Sequence, residues 1–185
     1  MRSIPVLSVA ALFVAATSSH AMSDAQVGEF IKQELVKKMS VTATPIKEPS
    51  VATCFSAVFY RVEITRDVGG GTSTERAVYM RTAKGIEEAS KPCTNQAMPM
   101  LPKIMNPKFV LKDDAAANTM LAALKAIYVR KSSFRSKVEP MVKRNGNTWN
   151  FILDEFMGKK YSGFVMTTDA NGRITKVDYS LGITK

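Results

Sequence analysis

The chain has 185 residues, of which 45% are hydrophobic and 23% are charged, and it carries a formal net charge of +10 with two cysteines and one histidine. This length and composition suit a globular domain whose hydrophobic core needs no metal for its stability. After the first 21 residues no segment is apolar enough to span a bilayer, which excludes later membrane-spanning segments.

The first 21 residues have the pattern of a cleavable export signal. Arg2 supplies a positive start, residues 4–16 form an apolar run of 13, and Ser19 and Ala21 are the small residues that a signal peptidase requires. A membrane anchor is the alternative, but an anchor needs about 20 apolar residues. We therefore predict cleavage after Ala21, export to the periplasm, and a mature single domain that spans residues 22–185.

The charge of the mature chain bears on its partners. The signal contains one of the 26 basic residues and none of the 16 acidic ones, so the mature chain has a net charge of 25 − 16 = +9. An excess of this size favours anionic partners through long-range attraction. Outside the cytoplasm these are acidic proteins, anionic envelope lipids or acidic glycans, and nucleic acid is not expected. Alternatively, the chain is basic because many periplasmic proteins are basic, and the charge does not indicate a partner.

The first predicted element of the mature chain is a helix. Ser23 stands at the N-cap with Gln26 three residues later, which is the pattern of a capping box, and the helix is expected to run to about Met39. Its buried face is predicted from apolar residues at helical spacing: Val27, Phe30, Ile31, Leu35 and Met39. Residues 40–49 contain two prolines and are expected to form a loop.

A β-hairpin is predicted next. Residues 55–66 alternate between an apolar face and a second face that becomes more polar toward its end; the apolar face holds Val58, Tyr60, Val62 and Ile64. Three glycines at 69–71 form the turn, and residues 74–82 return as the second strand. These glycines match neither phosphate-binding pattern, G-x-G-x-x-G or G-x-x-x-x-G-K.

The second half is predicted to begin with an irregular crossing over residues 92–107, which contain four prolines. Asp113 and Asp114 then provide an acidic first turn for a helix that runs to about Val129. The apolar stripe of this helix predicts a core position and consists of Met120, Leu121, Leu124, Ile127 and Tyr128.

Four strands are predicted over residues 137–144, 148–156, 161–168 and 173–183. One face of these strands is apolar and includes Trp149, Phe151, Leu153, Phe164, Met166, Val177, Tyr179 and Leu181. Asn-Gly pairs between the strands are strong hairpin signals. The order of elements predicts an α+β fold, with two helices packed on antiparallel sheet: an N-terminal helix and hairpin, a second helix, and a C-terminal four-stranded meander.

The two cysteines, Cys54 and Cys93, both belong to the mature chain. In an oxidising compartment they are expected to form one structural disulfide. A redox pair is the alternative, but oxidoreductases favour close spacing such as Cys-x-x-Cys, and these cysteines are 39 positions apart.

The mature chain is predicted to lack histidine, because His20 leaves with the signal. Histidine is the usual general base at neutral pH and a common metal ligand, so its loss argues against Ser-His-Asp and Cys-His hydrolysis and against His-ligated zinc. We predict no catalytic residue, no metal site and no cofactor.

The sequence contains three weaker candidate sites. Asp154 and Glu155 could act as acid and base on a glycan, but neighbouring strand residues point to opposite faces, so capping or surface charge is favoured. The segment Asp169–Gly172 resembles the start of a calcium loop but lacks the later ligands, which favours a hairpin turn. Methionines at 98, 100 and 105 could bind Cu(I) or fill gaps in the core.

A basic segment near the end of the second helix is the predicted partner-binding site. No acidic residue occurs from 115 to 138, and the predicted contacts are Arg130, Lys131, Phe134, Arg135, Lys137, Lys143 and Arg144. Basic side chains around one aromatic suit an acidic surface or a phosphate-rich headgroup. A solvated helix end is the alternative, since basic residues complement the helix dipole there.

These observations favour a non-enzymatic periplasmic binding protein. A stoichiometric inhibitor or an immunity protein, which neutralises a toxin or a wall-degrading enzyme, is the leading hypothesis. An accessory subunit of an envelope assembly or secretion complex, docking through residues 130–144, is the second. A glycan hydrolase that uses carboxylates alone is the third.

Overall fold

The computed structural model of the chain describes residues 23–34, 39–67, 69–82, 85–90, 101–128, 138–156 and 160–183. In this part of the chain, four helices accompany two antiparallel sheets of four strands each. The protein therefore has an α+β fold, as predicted. Residues 1–22, which contain the predicted signal, lie outside the described residues.

Helix α1 (Asp24–Glu34) begins with the predicted capping box. The backbone N–H of Ser23 donates to Gln26 Oε1 at 2.7 Å, and the N–H of Gln26 donates to Ser23 Oγ at 3.3 Å. Val27 and Ile31 are buried as expected, whereas Phe30 is 39% exposed, so the predicted face was too wide.

Sheet 1 contains β1 (Met39–Pro45), β2 (Val58–Asp67), β3 (Thr72–Thr82) and β4 (Gly85–Ser90), in that spatial order. The predicted hairpin forms its centre. The loop expected at 40–49 was wrong, because Val41, Thr42 and Thr44 lie in a strand that pairs with β2. For the same reason the first helix cannot extend to Met39, which belongs to β1.

The two faces of sheet 1 are covered differently. On one face α1 packs through Val27 and Ile31 onto Tyr60, Val62 and Ile64 of β2, which form a small separate core. On the other face, Phe59 joins Val78 and Met80 of β3 in the main core. Beyond Phe59 that second face turns polar.

Helix α2 (Pro49–Cys54) lies just before the predicted strand, where no helix was expected. Proline is favoured at a first helical position, and β2 starts only at Val58. The short helix α3 (Leu101–Ile104) lies beside this turn, where the N–H of Ser56 donates to the carbonyl of Ile104 at 2.8 Å.

Helix α4 (Asp114–Ile127) confirms the second predicted helix. Asp113 is its N-cap and accepts a hydrogen bond from the N–H of Ala116 at 2.8 Å. Its stripe is buried in the main core through Met120, Leu124 and Ile127.

Sheet 2 is the predicted four-stranded meander, with β5 (Met141–Asn145), β6 (Thr148–Phe156), β7 (Lys160–Thr168) and β8 (Ile174–Ile183) in order. Gly146 turns β5 into β6 with a φ of 58°. Asp169 closes the last turn by accepting from the N–H groups of Asn171 and Arg173. Trp149, Phe151, Phe164 and Met166 are buried as predicted, whereas Leu181 is 47% exposed.

Candidate binding surface

Most of the predicted basic site lies outside the described residues, which include neither Arg130, Lys131, Phe134, Arg135 nor Lys137. Lys143 and Arg144 are described and lie exposed on β5. The Arg144 guanidinium stacks 4.8 Å from the centre of the Trp149 ring and donates to the carbonyls of Gly146 and Lys112 at 3.0 and 3.4 Å. These contacts join β5 to the segment before α4, so Arg144 has a structural function whether or not it binds a partner.

Cys54 ends α2 and is fully buried. Burial raises the pKa of its thiol to about 12, because the thiolate would be desolvated. Cys93 lies outside the described residues, so the pairing of the two cysteines stays a prediction. In the reduced form, the Cys54 thiol would be protonated and unreactive at neutral pH.

The carboxylate pair considered for catalysis consists of one buried and one partly exposed residue. Asp154 is only 5% exposed, and its Oδ1 accepts from the N–H of Glu155 at 3.0 Å. Of the two expected roles, capping or surface charge, the second was therefore wrong for Asp154, whereas its bond to the neighbouring N–H agrees with the first. The cause of the burial is a register shift between Ile152 and Asp154, opposite Ser162 of β7, which changes the strand's alternation.

Three hydroxyl groups form a cluster near Asp154. Tyr128, which caps the end of α4, places its hydroxyl 3.3 Å from Ser162 Oγ and 3.2 Å from the hydroxyl of Tyr179. Burial is the main cause that raises the pKa of Tyr128, and the charge of Asp154 adds to it. The phenol of Tyr128 therefore stays neutral at physiological pH. Its hydrogen bonds to Ser162 and Tyr179 hold the end of α4 against sheet 2.

The described ranges contain no group of three or more His, Cys, Asp and Glu residues that could hold a metal ion. The carboxylate of Asp169 is used by its own turn, as the hairpin interpretation predicts. No helix in the described part of the chain is long and apolar enough to cross a membrane.

The open surface with the most defined geometry is the polar end of sheet 1, opposite α1. The strand register places its side chains in rows, with Thr42, Glu63 and Arg76 in one row and Thr44 next to Arg61 in another. We call this surface the polar platform, and it comprises Ser40, Thr42, Thr44, Arg61, Glu63, Thr65, Thr74 and Arg76. None of these residues is buried.

Cross-strand contacts fix part of the platform. Arg76 Nε donates to Glu63 Oε1 at 2.9 Å, and the hydroxyls of Thr65 and Thr74 lie 3.3 Å apart. Arg61 is exposed and has no ion-pair partner among the described residues. The platform therefore presents hydroxyl groups, the ion pair of Arg76 with Glu63 and the exposed guanidinium of Arg61.

This surface is not among the sites predicted from the sequence. Its signal was the second face of residues 55–66, which becomes polar toward its end, but polar residues at alternate strand positions usually mean only contact with water. The register with β1 could not be anticipated because β1 itself was missed.

Comparison with protein families, with characterised proteins and with solved structures found no match to this chain. The function of the chain must therefore be inferred from its own geometry.

Proposed function

We propose that the chain is an exported, non-enzymatic binding protein that neutralises a toxin or a wall-degrading enzyme by stoichiometric binding through the polar platform. The observation that carries this proposal is a group of exposed polar side chains fixed on a sheet whose opposite face is packed against α1. The expected partner is a protein with an acidic surface, which suits the net charge of +9 predicted for the mature chain and the exposed Arg61.

A platform on a sheet has a thermodynamic advantage in binding. Complex formation loses less free energy when the contacting groups are already ordered, because fewer rotamers and backbone states are restricted. The backbone of β2 is held between β1 and β3, and Ile64 and Val62 anchor it to α1. Arginine is also enriched at protein interfaces, where its guanidinium binds carboxylates.

An accessory subunit of an envelope complex is the second proposal, with docking through residues 130–144. It is favoured by the cluster of Tyr128, Ser162 and Tyr179, which anchors the end of α4 next to this basic segment. Lys143 is exposed on β5 and available to a partner.

Site-specific photo-cross-linking in the producing cells tests the main proposal. A cross-linking amino acid at Thr74, on the platform, should yield a discrete adduct with one protein. The same residue at Thr175, exposed on β8, is the positional control and should yield none. Arg61→Glu should abolish the Thr74 adduct, whereas Arg173→Glu, which makes the same charge change at an exposed turn, should preserve it.

The outcomes separate the proposals. The adduct protein, purified, should lose its toxic or lytic activity in a titration that ends at one equivalent of the mature chain. Absence of an adduct at Thr74, or adducts of equal yield at Thr74 and Thr175, would overturn the platform as the binding surface. If the cross-linking amino acid is also placed at position 143, in place of Lys143, an adduct that forms only there would support the accessory-subunit proposal instead. Activity on glycans that is lost in Asp154→Asn would favour a hydrolase.

A further inference from the structure

Within the residues that the structure describes, four strands form the outer edges of the two sheets: β1 and β4 in sheet 1, and β5 and β8 in sheet 2. An edge strand exposes backbone N–H and C=O groups that can pair with another strand, and proteins commonly block such edges with charges, bulges, proline or short strands. The four edges of this protein differ in how far they are blocked.

Three of the edges carry such features. Strand β4 contains Glu87 and Glu88 and pairs with a register shift in β3. Strand β5 has only five residues, follows Pro140 and contains two basic residues. Strand β8 contains Lys176 and Asp178, and its pairing with β7 has two register shifts. Each feature opposes the addition of a further strand.

Strand β1 has only one such feature, Pro45 at its last position. Its sequence, MSVTATP, contains no charged residue, and it pairs with β2 through seven consecutive residue pairs without a register shift. On the face toward α1, Val41 and Ala43 are half-buried and pack against the small core that contains Val27 and Ile31, and a Cβ on Gly28 would lie 3.9 Å from the Cβ of Ala43.

The alternation of hydrogen-bonded pairs between β1 and β2 identifies which backbone N–H and C=O groups of β1 face away from β2. The N–H of Ile46 donates to the carbonyl of Phe59 at 2.8 Å, which makes these residues a hydrogen-bonded pair. Such pairs alternate along an antiparallel ladder, so Thr44 and Thr42 bond to β2. Val41 and Ala43 then direct their N–H and C=O groups away from it.

The position of Pro45 in β1 agrees with this alternation. Pro45 has no N–H, and it falls at a position whose backbone nitrogen faces outward, where no ladder bond to β2 is lost. Within the described residues, neither Val41 nor Ala43 has a backbone partner on the outer side of β1.

We propose that β1 is a strand-addition site, at which an extended acidic segment of the protein partner pairs with Val41 and Ala43 and extends sheet 1. The inference rests on the proposed function for the existence of a partner, and it specifies how that partner is held. Main-chain hydrogen bonds supply affinity in this mode of recognition, and side chains on alternate positions supply specificity.

Charge complementarity identifies the occupant. A side chain of the added strand opposite Thr44 would lie two strand spacings, about 10 Å, from the backbone of Arg61. Thr44 is small, so the Arg61 side chain can reach over it to a glutamate or aspartate of the added strand. A second copy of this chain offers no such group, because β1 contains no carboxylate. Self-pairing would leave Arg61 without a partner.

The first test uses two short synthetic peptides, one of alternating valine and glutamate and one of alternating valine and lysine. Binding to the full mature chain is followed by amide hydrogen exchange. The glutamate peptide should slow exchange at Val41 and Ala43 by about tenfold or more, because their N–H groups become hydrogen-bonded. Exchange at Thr42 and Thr44, already bonded to β2, should change little.

Two variants provide matched controls. Ala43→Pro removes one outward N–H without removing a bond to β2, and it should abolish the protection at Val41 while circular dichroism shows the fold unchanged. Arg61→Glu should reverse the preference, so that the lysine peptide binds more tightly than the glutamate peptide by about tenfold. If Ala43→Pro fails to fold, the exchange measurement on the wild-type chain still decides the question.

Several results would overturn the proposal. Unchanged exchange at Val41 and Ala43 with both peptides would remove the strand-addition site, and equal binding of both peptides would remove the acidic occupant. A concentration-dependent dimer in sedimentation equilibrium that Ala43→Pro dissociates would assign the edge to a second copy. An adduct at Thr74 without protection at Ala43 upon binding of the adduct protein would refute strand addition and leave the proposed function intact.

Discussion

Sheet 1 and sheet 2 have the same topology, since each is a meander of four antiparallel strands that follows a helix. They differ in what covers them. The inner face of sheet 2 is filled by large side chains, including Trp149, Phe151 and Phe164, which pack in the main core with α4. Sheet 1 contributes to that core at one end only, through Phe59 of β2, Val78 and Met80 of β3 and Ala89 of β4, and leaves its other end as the polar platform.

This difference separates stability from recognition. A sheet face that is closed by aromatic side chains contributes stability through buried area and close packing. A face that is open at one end is free to contact a partner, and α1 stabilises it from behind. The same topology therefore supports stability in sheet 2 and recognition in sheet 1. The residues at alternate strand positions determine which of the two a sheet face provides.

The largest effect should come from the closed sheet. Phe164→Ala removes a fully buried ring that contacts Tyr179 and Tyr128 at centroid distances of 5.5 and 6.2 Å. We expect the free energy of unfolding to fall by about 3–5 kcal/mol, measured by urea denaturation. Phe30→Ala, at the exposed phenylalanine of α1, is the matched control and should cost less than about 1 kcal/mol. Equal losses would contradict the comparison.

The next effect concerns the close approach of two strands in sheet 2. A Cβ on Gly163 would overlap the carbonyl oxygen of Phe151 in the neighbouring strand, so Gly163→Ala must displace β6 from β7. We expect a loss of about 1–3 kcal/mol or more in urea denaturation. Gly182→Ala, in β8, has no atom within 4 Å of the new methyl and should change stability little. A neutral Gly163→Ala would show that the strands are not this close.

A smaller effect is expected at the helix beside sheet 2. Asp113→Ala deletes the N-cap of α4 and should lower the free energy of unfolding by about 1 kcal/mol. Asp113→Asn retains an acceptor oxygen and should restore most of this stability. If both variants lose the same amount, the charge of Asp113 matters more than its hydrogen bond.

The smallest effect belongs to the open sheet. Arg76 and Glu63 form an exposed ion pair on the polar platform, and such pairs contribute about 0.2–1 kcal/mol. A double-mutant cycle with Arg76→Gln and Glu63→Gln should give a coupling energy in this range that decreases in high salt. A coupling energy as large as the loss of unfolding free energy in Phe164→Ala would mean that the platform contributes as much to stability as the closed sheet.

Local signals in the sequence predicted the parts of the fold that depend on neighbouring residues. The capping box of Ser23 and Gln26, the N-cap at Asp113 and the turn at Asp169 all follow from side chains that bond to backbone a few residues away. Strong alternation with glycine turns likewise predicted the strands of sheet 2, except that β5 begins at Met141 and not at residue 137.

The missed elements depend on distant contacts. Strand β1 has small and β-branched residues beside two prolines, which indicates a loop, and it is a strand only because it pairs with β2. Helix α2 is short, and its stability comes from packing against α4 rather than from helix propensity. The polar platform was missed with β1, because its rows exist only once the register is known. The burial of Asp154 follows from a register shift that no local pattern indicates.

The position of the only tryptophan allows the two sheets to be observed separately. Trp149 is buried in sheet 2, and its indole N–H has no hydrogen-bond partner among the described residues. Its fluorescence should therefore be that of an apolar environment and should shift to longer wavelength when sheet 2 unfolds. A dye attached at the platform would respond to a partner at sheet 1, so folding and recognition could be followed in one sample at two wavelengths.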